Sequence, residues 1–206
     1  MFRNLFDPDS GLMTTMTWIT DCIFLSLFWI LGCAPVITVG ASCAALYDAV
    51  FRGFRGGEKH CWKRFFKAFR QNWKAGIGPT LLFLAACYGL AAGVIGLWNG
   101  AVYGTVNWAL FAGAAVLAVL ALGILSVLFP MLSRFENSFG GLVKNTLLLA
   151  LANLPRTFLL GALYGAAVVL CVRLIIPVFF LPALSTLLAT YLIEPMFKPY
   201  LEDAAA

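Results

Sequence analysis

Residues 106–132, VNWALFAGAAVLAVLALGILSVLFPML, form a long run without a single charged side chain. A helix needs about 20 apolar residues to cross the ~30 Å hydrocarbon core of a bilayer, so this run is long enough for one membrane span. Its apolar residues are continuous rather than alternating with polar ones, which excludes a transmembrane β-strand. The stretch therefore predicts a transmembrane α-helix.

The rest of the chain repeats this pattern. Apolar residues make up 62% of the 206 residues and charged residues only 11%, which is far from the composition of a soluble domain. Similar runs predict further spans at about 13–34, 77–98, 156–176 and 177–197. We therefore expect one domain, residues 1–206, with an all-α, polytopic membrane fold.

The segment 36–51, VITVGASCAALYDAVF, leaves the number of spans open. As a helix it would be only about 24 Å long, and it contains Asp48. It is either a short span or a re-entrant hairpin, and its length favours the span. We expect six transmembrane helices, or five and a re-entrant segment.

The distribution of lysine and arginine predicts the orientation, because cytoplasmic loops are enriched in both. Eight of the fourteen basic residues lie in one loop region: Arg52, Arg55, Lys59, Lys63, Arg64, Lys67, Arg70 and Lys74. With six spans, Arg173 is the one basic residue on the external side of the membrane, and both termini are predicted to be cytoplasmic. A five-span topology misplaces only Arg3, so charge leaves both topologies open.

Within this basic region, residues 61–74, CWKRFFKAFRQNWK, predict an amphipathic helix. Aromatic rings recur at helical spacing at Trp62, Phe65, Phe66, Phe69 and Trp73, and cations fill the opposite face at Lys63, Lys67, Arg70 and Lys74. Such a helix is typical of a cytoplasmic membrane interface, with its cations among anionic lipid headgroups. The same residues suit the docking of a protein partner, and the sequence does not separate the two. A second amphipathic segment begins at residue 138.

Asp21 is the main polar candidate inside a predicted span, on one helix face with Thr17. A carboxylate at this depth costs a few kcal/mol unless it is protonated, hydrated or paired. It is either a proton or cation relay or a structural group that pairs with Arg134 or Arg156. The structural role is the favoured interpretation.

Two other acidic residues are expected near the inner membrane boundary. Asp48 should pair in solvent with Arg52 and Arg55, and Glu194 should lie near a helix end. The glycines at positions 89, 93 and 96 are expected to let the 77–98 helix approach other helices of the same chain closely.

The sequence offers no motif for catalysis. It lacks a phosphate-binding loop, H-E-x-x-H, G-x-S-x-G and any acid–base pair of suitable spacing. Its six cysteines form no C-x-x-C, and the chain shows no nucleic-acid-binding motif. We therefore expect no enzymatic activity, no metal, no cofactor and no nucleic-acid partner.

Several segments carry a family resemblance. PVITVGAS at 35–42, KRFFKAFRQNWKAG at 63–76, and FENS at 135–138 followed by NLPRT at 153–157 resemble the YesL-like bacterial membrane proteins, the domain of unknown function 624 family. The resemblance implies an integral protein of the bacterial plasma membrane. It also implies an association with carbohydrate ABC importers, and it supplies no catalytic or ligand residues.

Three functional hypotheses follow. The leading one is a non-catalytic accessory component of a carbohydrate ABC import system, with helix 61–74 and the loop 133–156 contacting the permease or the ATPase subunit. A small secondary transporter or channel is the alternative, and it predicts that Asp21, Thr17, Asn107 and Asn153 converge on a hydrated cavity. The third is a lipid-binding or assembly protein of the membrane.

Overall fold

The computed structural model describes residues 11–57, 60–135, 138–174 and 176–203. All regular secondary structure in these ranges is helical, so the prediction of an all-α fold is confirmed. In chain order the helices are α1 (Gly11–Cys33), α2 (Val39–Val50), α3 (Cys61–Asn72), α4 (Ile77–Val102), α5 (Trp108–Arg134), α6 (Phe139–Ala152), α7 (Leu154–Arg173) and α8 (Leu181–Asp203). Short 3-10 turns precede α2 (Val36–Thr38) and α8 (Ile176–Phe179), and a π-helical turn (Phe51–Arg55) follows α2.

Local sequence signals explain where several helices begin. The side chain of Asn107 accepts a 3.0 Å hydrogen bond from the backbone N–H of Ala109 and caps α5. Ser138 caps α6 in the same way, through the N–H of Gly141. Pro155 lies in the first turn of α7, where its missing N–H has no helical partner to lose.

Among the residues that the structure describes, five segments are long and apolar enough to cross a membrane: Met16–Cys33, Val36–Arg55, Ile77–Val102, Trp108–Arg134 and Leu154–Arg173. The segment that the sequence left open is among them, because its helical path continues to Arg55 and reaches 20 residues. The expected span at 177–197 forms α8, which is not among the five. Glu194 and Lys198 lie in its second half and lower its apolar character.

Helices α2 and α3 form an antiparallel hairpin. Gly53, just after α2, faces Cys61 at the start of α3 so closely that a Cβ atom at position 53 would collide with the cysteine sulfur. Nearer the middle, Asp48 of α2 pairs with Arg64 of α3. The two helices therefore lie side by side along their lengths.

Helix α3 also runs alongside α1, in the same direction. Cys61 contacts Asp21, and Phe28 of α1 lies against Phe65 and Phe66, with ring centroids 6.2 and 5.0 Å apart. Helix α3 lies lengthwise along both α1 and α2, so the three helix axes are nearly parallel or antiparallel. If α3 lies flat in the membrane interface, α1 and α2 therefore also lie at a shallow angle to the membrane plane. The first three helices thus form one packed layer.

The closest helix crossing joins α5 and α7 at two glycines. A Cβ atom at Gly123 would collide with the carbonyl of Thr157, and one at Gly161 with the carbonyl of Val119. The expectation for the α4 glycines is wrong: Cβ atoms at positions 89, 93 and 96 would have no neighbour within 4 Å. Close packing depends on small residues here, but in a different pair of helices from the one expected.

Candidate functional site

Helix α3 forms as its amphipathic sequence predicts, over Cys61–Asn72. His60, the residue before it, has a φ of 70°, in the left-handed region that reverses the chain sharply. This sharp reversal after the π-helical turn brings α3 back along α2. The helix is therefore held by the hairpin, and does not lie as a separate element on the surface.

The inward face of α3 is part of the protein core. Cys61, Phe65 and Ala68 are buried, with Phe65 only 1% exposed, and Phe69 is half-buried. They pack against a cluster from α1, α2 and α8 that includes Leu25. Phe65 and Phe69 are thus structural residues, which corrects their assignment to a single exposed aromatic face.

The outward face of α3 carries the remaining rings and the predicted cations. Trp62, Phe66 and Trp73 are 45%, 49% and 49% exposed. The four cations of this face are also exposed: Lys63, Lys67, Arg70 and Lys74. We call these seven residues the basic–aromatic face. It runs along α3 and ends in the turn after it, where Trp73 and Lys74 lie.

The residue spacing within α3 predicts which of its faces is buried, although the pattern of aromatic rings alone indicates a different face. Cys61, Arg64, Phe65 and Ala68 follow the i, i+3, i+4, i+7 spacing of one helix side. The five aromatic residues also cover an arc of about 100°, but that arc is turned about 100° from the buried side and shares only Phe65 with it. Arg64 is not one of the four exposed cations. It points inward and forms the ion pair with Asp48.

Asp48 is the centre of the first buried ionic cluster. Its side chain is 4% exposed and accepts hydrogen bonds from Arg64 Nε at 2.5 Å and from Arg52 Nε at 2.9 Å. The predicted pair with Arg52 is present, whereas Arg55 instead donates to the carbonyl of Thr190 at 3.2 Å. The pairing is buried, not solvated, because Arg64 closes over the carboxylate from α3.

A second buried cluster joins α2, α5 and α8. Glu194 accepts a 2.8 Å hydrogen bond from the Tyr47 hydroxyl and a 2.7 Å hydrogen bond from Arg134 Nη2. The guanidinium of Arg134 lies 4.0 Å from the centroid of the Phe51 ring, a cation–π geometry. Glu194 lies well inside α8, not at a helix end, and the sequence analysis missed this cluster.

Asp21 does not take either of its expected partners. It is half-buried, and its Oδ2 atom accepts a hydrogen bond from the thiol of Cys61 at 3.7 Å. Arg134 pairs with Glu194 instead, and Arg156 donates to Asn153 at 3.4 Å. Burial, strengthened by the negative charge of Asp21, raises the pKa of Cys61 to about 11.

The other polar residues considered for a transport path lie on separate elements. Asn107 caps α5, and Asn153 lies between α6 and α7, where it donates to the carbonyl of Leu149 at 3.2 Å. Thr17 is exposed on α1. In the described ranges, no three His, Cys, Asp or Glu residues form a group that could hold a metal ion.

Taken together, the fold and its five long apolar helices define a multi-pass, α-helical membrane protein. Residues 22–94 match the family model described as "Protein of unknown function, DUF624", the family that the sequence resemblance names. The match covers the second half of α1, all of α2 and α3, and most of α4. The chain matches no curated protein and no solved structure.

Proposed function

We propose that this protein is a non-catalytic accessory component of a carbohydrate ABC import system in the bacterial plasma membrane, and that α3 is its contact surface. The observation that supports this most is the division of α3 into two faces. Phe65 and its neighbours fix the helix to the core, while Trp62, Phe66 and Trp73 remain exposed among cations. Exposed aromatic residues on a rigid element are typical anchors of protein interfaces.

The charge of this face indicates the kind of partner surface. Lys63, Lys67, Arg70 and Lys74 are all exposed along α3 and the turn that follows it, so an acidic surface is the complementary one. The link to a sugar importer comes from the context that the resemblance to YesL-like proteins implies. A cytoplasmic loop of the permease or its ATPase subunit would meet α3 on the side where basic residues concentrate.

The orientation that we propose places the basic–aromatic face of α3 on the cytoplasmic side and counts α8 as a sixth span, which brings both termini to that side. The basic residues around α3 favour it under the positive-inside rule. At the far end of the α4–α5 hairpin, the rings of Trp98 and Trp108 meet at 5.7 Å, next to a turn without charged residues. Tryptophans are typical of both membrane interfaces, and the lack of basic residues in this turn favours the external one.

Transport by the chain itself has less support. Asp21, Asn107 and Asn153 are held by separate local partners on different elements, as described above. A substrate path near the midplane would need polar groups that face one another across a shared cavity. The accessory role requires no such path.

Lipid binding uses the same face and remains the second candidate. Tryptophan and lysine side chains together suit anionic headgroups, at roughly 1 kcal/mol per basic residue near the surface. The observation in its favour is the interleaving of Trp62 and Phe66 with Lys63 and Lys67 along one exposed strip. Lipid binding of this kind weakens steeply as the salt concentration rises, and it does not require a partner protein.

Affinity purification of the tagged protein from native membranes in mild detergent, followed by mass spectrometry, tests the proposal. We expect a sugar permease or its ATPase to co-purify with the wild type and to be lost from the double variant Trp62→Ala/Phe66→Ala. Tyr103→Ala is the matched control, because Tyr103 is 80% exposed at the α4–α5 turn, far along the chain from α3.

Sugar uptake by cells that carry each variant gives the functional readout. Unchanged co-purification and unchanged uptake in Trp62→Ala/Phe66→Ala would show that α3 is not the docking surface. A wild-type protein that purifies alone, yet binds phosphatidylglycerol vesicles in a salt-dependent manner, would replace the accessory role with lipid binding.

A further inference from the structure

A recess of about 300 Å³ lies between α1 and α3, apart from the ionic clusters described above. Its lining consists of one carboxylate and an otherwise apolar wall: Asp21, Phe24, Leu25, Phe28 and Trp62. Phe24 and Trp62 are half exposed, so the recess opens to the surface of the protein. Three aromatic rings and one acidic group thus share the lining of the recess.

We propose that this recess binds a small organic ammonium group. Ammonium groups are attracted to the faces of aromatic rings, and tryptophan is the strongest such ring. A carboxylate within the same wall adds charge complementarity for a cation and disfavours an anion. The combination of Asp21 with Phe24, Phe28 and Trp62 matches the two properties of an alkylammonium, its charge and its apolar methyl or methylene groups.

The position of Asp21 supports a ligand of this charge. The thiol of Cys61 donates to Oδ2 over 3.7 Å and orients the carboxylate, but a thiol brings no positive charge, and the ammonium of Lys63 is directed to the Trp62 ring, 5.3 Å from its centroid. A half-buried carboxylate in an apolar wall is costly unless a cation compensates it. An ammonium ligand in the recess would supply that compensation.

The size of the recess indicates the size of the ligand. A volume of about 300 Å³ lies at the lower end of the range of small-molecule sites, which suits a group such as choline or ethanolamine. The ammonium could belong to a free amine or to the headgroup of an aminolipid, since four of the five lining residues lie on α1, a helix long and apolar enough to cross a membrane. Both sources share the same recognition chemistry.

This proposal is independent of the accessory role. Phe24, Phe28 and Asp21 belong to α1 and are not part of the basic–aromatic face; only Trp62 contributes to both. Loss of partner binding with intact ammonium binding, or the reverse, would distinguish the two.

Titration calorimetry of the detergent-solubilised protein with choline tests the free-amine form. The matched ligand control is 3,3-dimethylbutan-1-ol, which has the shape of choline without its charge. We expect saturable choline binding that weakens at least about tenfold in Asp21→Asn and in Trp62→Ala, and at least about tenfold weaker binding of the neutral alcohol. Trp73→Ala, just after the same helix and outside the recess, should bind choline as the wild type does.

Native mass spectrometry with phosphatidylethanolamine and phosphatidylglycerol tests the lipid form. Asp21-dependent retention of phosphatidylethanolamine over phosphatidylglycerol, without choline binding, would identify the aminolipid as the source. The proposal is overturned if neither ligand binds, if the neutral alcohol binds as well as choline, or if Asp21→Asn changes nothing. If Asp21→Asn fails to fold, two comparisons still test the proposal. One compares choline binding by Trp62→Ala and Trp73→Ala, and the other compares choline with the neutral alcohol on the wild type.

Discussion

Arg134 of α5 donates a 2.7 Å hydrogen bond to Glu194 of α8, and the two side chains are only 17% and 14% exposed. The same carboxylate oxygen accepts the hydroxyl of Tyr47 from α2. Three helices that are far apart in the sequence therefore meet at one carboxylate. Since both charged partners are largely removed from solvent, each depends on the other for compensation.

Replacement of Glu194 by Gln should destabilise the protein by about 3 kcal/mol, because it leaves the Arg134 charge largely buried without its counter-ion. Tyr47→Phe removes one hydrogen bond and should cost only about 1 kcal/mol. Unfolding by sodium dodecyl sulfate in mixed micelles, followed by circular dichroism, measures both. Equal losses of unfolding free energy in the two variants would mean that Arg134 and Glu194 do not stabilise the fold as a buried charge pair.

The α5–α7 crossing should tolerate no side chain at Gly161. A Cβ atom there would collide with the backbone carbonyl of Val119, so Gly161→Ala should separate the helices and cost about 3 kcal/mol or more. Gly93→Ala is the matched control: its Cβ atom meets nothing within 4 Å, and the higher helix propensity of alanine should add up to about 1 kcal/mol. Indistinguishable melting temperatures of the two variants would contradict the crossing.

The two faces of α3 should respond differently to truncation. Phe65→Ala removes a fully buried ring and should lower the free energy of unfolding by about 3–5 kcal/mol. Phe66 is 49% exposed, so Phe66→Ala should lower it by about 1 kcal/mol or less. Thermal unfolding of the adjacent pair in detergent provides the measurement. A larger effect at Phe66 would reverse the assignment of the inward face.

Cys61 should be slow to alkylate at alkaline pH. With a pKa of about 11, against 9.0 for an ordinary thiol, about one per cent of it is thiolate at pH 9. Asp21→Asn removes a negative charge that raises this pKa, so the rate should rise at pH 9 and its pH profile should shift to lower pH. Peptide mapping after treatment with N-ethylmaleimide between pH 7 and 10 reads Cys61 separately from the other cysteines. A profile unaffected by Asp21→Asn would contradict the contact.

The sequence predicted the fold class and most of the spans because the bilayer constrains composition so strongly. The run 106–132 has no interpretation as a soluble surface helix, and the structure has α5 there, at Trp108–Arg134. The fate of 36–51 was harder, because the apolar run stops near Phe51. The helical path continues through Arg52 and Arg55 as a π-helical turn, which no hydropathy pattern reveals.

The ionic clusters were only partly predictable. Asp48 and Arg52 are one helical turn apart, so their pairing follows from local spacing. Tyr47 and Glu194 are separated by 147 residues, and nothing in either neighbourhood encodes the contact. Asp21 was singled out as a polar residue in a predicted span, but its contact with Cys61 depends on how α3 folds back, which composition does not determine.

The two adjacent residues Tyr47 and Asp48 limit how α2 can move. Successive side chains on an α-helix point about 100° apart, so one residue bonds toward α8 and the next toward α3. A turn of α2 about its own axis in either direction pulls at least one of these bonds apart. Any rearrangement that keeps both bonds must carry α3 and α8 along with α2. Two helices that lie far apart in the sequence are therefore mechanically linked through a single helix.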